Sequence, residues 1–220
     1  TTVMEHHSNL VPWQMVAART GAVLRHVGLT ASGELDLDDL HAQLNGRTRL
    51  VAMVHVSNTL GCLNPIAEVV ALAHSVGARV LVDACQSLPH LPVDVNQLDC
   101  DWLVGSSHKL CGPTGMGFLW GRRELLEQAP PFLGGGEMID EVFLERSTWA
   151  ALPHKFEAGT PAIGEAIGMA AAIDYIQALG LEVIHQWEQR LTARLWQGLS
   201  RIDGVRLLGP SPEQQPDRGA

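Results

Sequence analysis

The chain has 220 residues, 46% of them hydrophobic and 18% charged, enough to bury a sizeable core as one large domain or one domain plus part of another. Its 15 Lys+Arg against 24 Asp+Glu leave a formal charge of −9, and no basic run interrupts it, which argues against nucleic acid or an anionic membrane surface as a partner. No stretch approaches the ~18 consecutive apolar residues of a spanning helix, the best candidate, 167–173, stopping at Asp174.

In chain order, the pattern predicts a helix over 9–19, a strand over 23–29 and a helix over 36–44 whose opening Asp36 caps the first amides. A strand follows over 48–56. Pro65 opens the next helix where its missing N–H costs nothing, and Gly77 closes it. Residues 79–82 and 101–104 are short continuous apolar runs, the kind of strand buried on both faces of a parallel sheet, and 116–120 is another strand. Residues 161–179 and 181–202 read as helices, and 205–208 as the first strand of a following unit.

Strands alternating with helices predict an α/β sheet covered by helices on both faces. There are no internal repeats. The boundary falls near 200–204, giving a domain over 1–203 and the start of a second over 204–220. The sequence opens on Thr1 with neither the basic nor the apolar region of a signal peptide, and its last residues close no element, so a piece of a longer cytoplasmic protein is expected. Cys62, Cys85, Cys100 and Cys111 form no C-x-x-C and read as reduced core or near-site thiols.

In open α/β sheets reactive groups gather beyond the carboxyl ends of the strands. After 80–82 comes Asp83-Ala84-Cys85-Gln86, and after 102–104 comes Gly105-Ser106-Ser107-His108-Lys109-Leu110-Cys111-Gly112-Pro113-Thr114-Gly115. A carboxylate at the end of a buried strand is costly unless it meets a cation or a protonated nitrogen; a helix cap or structural salt bridge is the plainer explanation. The second segment brings two hydroxyls, an imidazole and an amine into a turn whose glycines admit a phosphate. It is neither a P-loop nor a G-x-G-x-x-G fingerprint. An amine nucleophile with an Asp partner for a ring nitrogen is the pattern of pyridoxal phosphate enzymes, and it explains both costly residues together. Glu5-His6-His7 suits stacking on a ring better than metal ligation, because adjacent side chains diverge, and no metal site is expected. Asn58 stands at the same sheet edge, where alone it would be a turn residue. Gly134-Gly135-Gly136 reads as a flexible loop, and 156–161 as a helix start suited to an anion.

Six strings carry a wider resemblance: 4–14 (Met-Glu-His-His-Ser-Asn-Leu-Val-Pro-Trp-Gln), 55–61 (His-Val-Ser-Asn-Thr-Leu-Gly), 82–86 (Val-Asp-Ala-Cys-Gln), 106–117, 134–139 and 156–161. In that order they resemble the pyridoxal phosphate-dependent class V aminotransferase superfamily. More narrowly, they resemble its group II, Suf-type cysteine desulfurases of iron-sulfur cluster assembly, a group that includes selenocysteine lyases. The resemblance implies a three-layer fold type I large domain with a mostly parallel mixed sheet, incomplete here. It makes Lys109 the lysine that binds the cofactor and later carries the proton at the substrate Cα. Asp83 would pair with the ring nitrogen, Gln86 with the phenolic oxygen, and His6 would stack on the ring. Asn58 would lie near the ring oxygen and the substrate carboxylate. Ser106 and His108 would bind the phosphate, and Thr160 would reach the phosphate site of the other subunit of a homodimer. L-Cysteine or L-selenocysteine would be the substrate, and a Suf-type protein the sulfur acceptor.

Two departures stand beside the match. The family's sulfur-accepting cysteine belongs to an Arg-x-Gly-His-His-Cys-like segment that does not occur here, and none of the four cysteines stands in for it. The family's carboxylate-binding arginines and upstream phosphate loop are also missing, so this polypeptide alone is not expected to complete desulfuration. A different class V lyase or epimerase, or a noncatalytic dimerisation module, are the competing readings; keeping Lys109, Asp83, Gln86 and His108 together argues against the last, since buried polar groups without a ligand are costly.

Overall fold

The computed structural model describes residues 1–218. In chain order the elements are α1 (Val11–Thr20), α2 (Leu37–Gln43), β1 (Leu50–Val54), α3 (Ile66–Ser75), β2 (Arg79–Asp83), α4 (Val95–Leu98) and β3 (Trp102–Ser106). Then come β4 (Gly117–Gly121), α5 (Arg123–Gln128), β5 (Ile139–Val142), β6 (Ser147–Trp149), α6 (Ile163–Leu179) and α7 (Leu181–Leu199). The main sheet runs β1-β2-β3-β4, the first three strands parallel and β4 antiparallel to β3. A mostly parallel mixed sheet is thus present, and β5 and β6 form a separate antiparallel pair.

Side chains alternate across a strand, so the register sorts the sheet into two faces. Val51, Met53, Val80, Val82 and Leu103 share one, and they are buried in one cluster with Ile66, Val69, Val70 and Ala73 of α3. Those α3 residues recur at i, i+3, i+4 and i+7, a single apolar stripe. Each fully buried Val or Ile there contributes roughly 1.5–3 kcal/mol. The other face carries Leu50, Leu81, Trp102 and Leu119, which line a groove of about 290 Å³ together with Trp13 of α1. Helix α2 starts where predicted, with Asp36 accepting the Asp39 N–H at 2.9 Å. Among the described residues no single helix is long and apolar enough to cross a membrane.

Two predicted strands are absent. Residues 23–29 make only isolated bridges, Val27 with Thr2 and Leu29 with Leu35. Side chains of α2 take the backbone groups a ladder would need: the Gly28 N–H donates to Asp39 Oδ2 at 2.7 Å, and Gln43 Nε2 donates to His26 O at 3.1 Å. Residues 205–208 form no ladder either. The Val205 N–H turns back to Ile202 O, and the segment finds no neighbouring strand among the described residues.

Candidate active site at the strand ends

Val54 pairs with Asp83, and Asp83 with Val104, so these three side chains point to the same face; Ser106, two residues further, returns to it. The parallel strands therefore end together, and the segments leaving them carry His55 and Asn58, Cys85 and Gln86, and His108 and Lys109.

Asp83 is buried, 4% exposed. Its Oδ1 accepts the Cys85 N–H at 3.0 Å, and among the described residues no cation pairs with it. It belongs to no salt bridge there, and the one cap-type bond it makes to the helical turn that follows leaves its charge without a cation. Burial, and then the adjoining Asp83 carboxylate, push the Cys85 thiol up to about 12, while the Lys109 ammonium pulls the other way. Both charges thus act on one sulfur, which stays a thiol at neutral pH. Gln86 lies half-buried in the helical turn that follows, where Leu88 N–H donates to Ala84 O.

Ser107, His108 and Lys109 make a short 3-10 turn after β3. Ser106 Oγ lies 2.8 Å from His108 Nδ1. The Ser107 carbonyl accepts the N–H groups of Leu110 (2.8 Å) and Gly112 (3.0 Å), and the buried Ser107 Oγ has no hydrogen-bond partner among the described residues. A Cβ at Gly112 would stand 2.3 Å from that Oγ, so only glycine lets the turn close. Lys109 ends the turn half-buried.

His6 is held from behind. Glu5 accepts Thr2 Oγ1–H at 2.7 Å, Asn9 Nδ2–H at 2.7 Å and the Val54 N–H at 3.2 Å, tying the loop that carries His6 to the end of β1. Burial raises the Glu5 carboxyl above the usual range against these hydrogen bonds. The His6 ring itself is exposed and contacts Ser8. Asn58 is exposed near the tip of a hairpin closed by the Ser57 N–H to Cys62 O bond and the Val56–Leu63 bridge.

Thr160 lies in the loop before α6. Helix α6 begins at Ile163, two residues later than predicted, with no side-chain cap, so Thr160 is an exposed loop residue rather than part of a helix start. Its neighbour Gly159 donates to Gly136 O at 2.9 Å, which joins two of the singled-out strings to each other. Three residues quoted in the sequence motifs were given no role of their own. His55, Ser107 and the anchoring role of Glu5 lie beside singled-out positions, and the strand-end rule that found Asp83 would also have found His55. No group of three or more His, Cys, Asp or Glu among the described residues is placed to hold a metal ion, and all four cysteines are free.

The aminotransferase class-V family model matches residues 1–218. The chain belongs to the class-V aminotransferase family. It is 61% identical to a probable cysteine desulfurase of Synechocystis over 220 residues, which are 100% of this chain and 52% of that one. Among solved structures it is similar to the apo cysteine desulfurase of Thermococcus onnurineus NA1, with a TM-score of 0.93, 40% identity, and coverage of 100% of this chain and 54% of that one. C-DES, a cystine C-S lyase, matches with a TM-score of 0.86 at 30% identity, covering 97% of this chain and 58% of that one. It has been solved with its product cysteine persulfide and, as a mutant, with glycine covalently linked to its PLP cofactor. This class-V chain spans about half the length of the curated relative it matches.

Proposed function

We propose that residues 1–203 are the pyridoxal phosphate-binding large domain, and 204–220 the opening of a second domain, of a protein that converts L-cysteine to L-alanine and an enzyme-bound persulfide. The observation that carries this reading is the buried Asp83 carboxylate, unpaired among the described residues and acting with Lys109 on one sulfur at the strand ends. The donor set fits the cofactor. A protonated ring nitrogen would supply the cation that Asp83 lacks, the Lys109 amine would hold the carbonyl, and Ser106 and His108 would hold the phosphate. When bound, the cofactor supplies an electron-accepting ring that stabilises negative charge at the substrate Cα.

The chain's own residues do the rest. Asp83 would keep the ring nitrogen protonated, and Gln86 would donate to the phenolic oxygen. His6, on the loop fastened by Glu5, would stack on the ring, and Asn58 would serve the ring oxygen and the substrate carboxylate. The Lys109 amine would take the Cα proton. An acceptor thiolate would attack the substrate sulfur, forming the persulfide S–S bond as the Cβ–S bond breaks, and the electron pair left on the carbon skeleton would be protonated to give alanine. Cys85, the thiol beside Asp83, is pushed up to about 12 and is a poor acceptor; the resemblance assigns the acceptor role to the cysteine of an Arg-x-Gly-His-His-Cys-like segment that residues 1–220 do not contain. Residues 1–220 alone do not complete the reaction. Thr160 completes the site across a homodimer, and the persulfide passes to a Suf-type acceptor for iron-sulfur cluster assembly. Four separate free thiols suit a cytoplasmic setting.

The test is alanine release by the full-length protein from L-cysteine and, separately, L-selenocysteine. Alanine from cysteine that disappears in Lys109→Ala supports the proposal, whereas release confined to selenocysteine makes the protein a selenocysteine lyase. No alanine from either substrate, or its persistence in Lys109→Ala, overturns the assignment.

A further inference from the structure

Beyond α7 the chain folds back across the hairpin that carries Asn58. The Gln215 side chain makes two bonds to one residue: its Oε1 accepts the Leu63 N–H at 2.7 Å, and its Nε2 donates to Leu63 O at 2.8 Å. A single side-chain amide thus satisfies both main-chain groups of Leu63, as an adjacent strand would. Arg218 Nη2 donates to Leu60 O at 2.7 Å, and its guanidinium lies 5.1 Å from the centre of the Trp196 ring of α7. Gly209, at φ +83°, comes so close that an added Cβ would stand 2.7 Å from Leu60 O. Gln189 of α7 holds the same segment from the far side, donating to Pro216 O at 3.0 Å.

Within the hairpin, Ser57 supplies most of the internal bonds. Its Oγ accepts the N–H groups of Thr59 and Leu60, and its carbonyl accepts that of Gly61. An isolated two-stranded hairpin is marginal in water. The outer edge is where the 209–218 segment grips it, and Asn58 is left exposed between.

We infer that residues 209–218 are a strap that fixes the 57–63 hairpin, which makes Gln215 and Arg218 positioning residues for Asn58. This rests on the reading of Asn58 as a cofactor-site residue. The strap ties the geometry of that site to the part of the chain that follows α7, so a displacement there is felt at Asn58.

The experiment uses the full-length protein and two readouts: amide hydrogen exchange over 57–63, and affinity for pyridoxal 5′-phosphate by absorbance titration. Gln215→Ala and Arg218→Ala are expected to raise exchange in 57–63 about tenfold, the scale of one lost hydrogen bond, with β1 to β3 unchanged. Each also weakens cofactor binding. Asn58→Ala weakens it too, and the Gln215→Ala/Asn58→Ala double variant loses no more than Asn58→Ala alone, because both act through one group. Gln215→Glu keeps the acceptor for the Leu63 N–H and restores part of both effects; it replaces Gln215→Ala should that variant not fold. Unchanged exchange over 57–63, or additive losses in the double variant, overturns the strap. Faster exchange over 57–63 in a protein that binds no cofactor even unaltered instead overturns the reading of Asn58 and leaves the strap standing.

Discussion

The Glu5 carboxylate accepts the backbone N–H of Val54, joining residues 49 apart in sequence and fastening the His6 loop to the end of β1. Burial raises this acid above the ordinary glutamate value, so the folded protein holds its proton more tightly than the unfolded chain does. Stability therefore falls as pH rises from the ordinary glutamate range through the raised value, and levels off above it. Glu5→Gln removes that fall while keeping one acceptor. Melting temperature against pH checks it, and a slope in Glu5→Gln matching the parent would contradict the assignment.

His55 works in the opposite direction. It is 6% exposed, and burial lowers it from 6.5 to about 4, so it stays neutral in the fold. The unfolded chain takes up the proton first, so stability is lost as pH falls from about 6.5 to about 4, about 2 kcal/mol of it between pH 7 and pH 5. Its main-chain bonds to Asp83 O and from the Asn64 N–H do not need the ring. His55→Gln should lose this acid sensitivity in urea unfolding at the two pH values, and retention of the full loss would count against the buried neutral imidazole.

Asp101 staples the opposite end of the sheet. Its fully buried carboxylate accepts the Val80 N–H at 2.7 Å and Arg79 Nη1–H at 3.1 Å, lies 2.8 Å from His74 Nε2, and has Arg122 Nε at 3.7 Å. Asp101→Ala leaves the buried Val80 N–H unpaired while the partly exposed Arg79, His74 and Arg122 turn to water, and is expected to cost about 1–3 kcal/mol in urea unfolding. A loss under 1 kcal/mol would show that the network contributes little.

Gly112→Ala tests the lysine turn. The new methyl meets Ser107 Oγ at 2.3 Å and Ser107 O at 3.0 Å, so the turn carrying Lys109 must shift. Overpacking of this kind costs roughly 1–3 kcal/mol, and cofactor affinity should fall at least tenfold. Parent-like affinity in an absorbance titration would mean that the turn tolerates the methyl.

Strands β1 to β3 were legible because each is a continuous apolar run, and Asp83 and Lys109 because each is a costly charge just past such a run. What the sequence hid is non-local. Residues 23–29 have the composition of a strand, yet Asp39 and Gln43 of α2 claim the backbone groups that a ladder would use. The Glu5–Val54 bond, the Gly112–Ser107 approach and the grip of Gln215 on Leu63 each join residues that no periodicity connects.

The central claim is that Lys109 is the cofactor lysine, and the most direct measurement is borohydride reduction of the protein with pyridoxal 5′-phosphate, followed by peptide mass mapping. The account predicts one pyridoxyl adduct, on Lys109, absent from Lys109→Ala. An adduct on Lys155 instead, or none on Lys109 in the folded full-length protein, would contradict it.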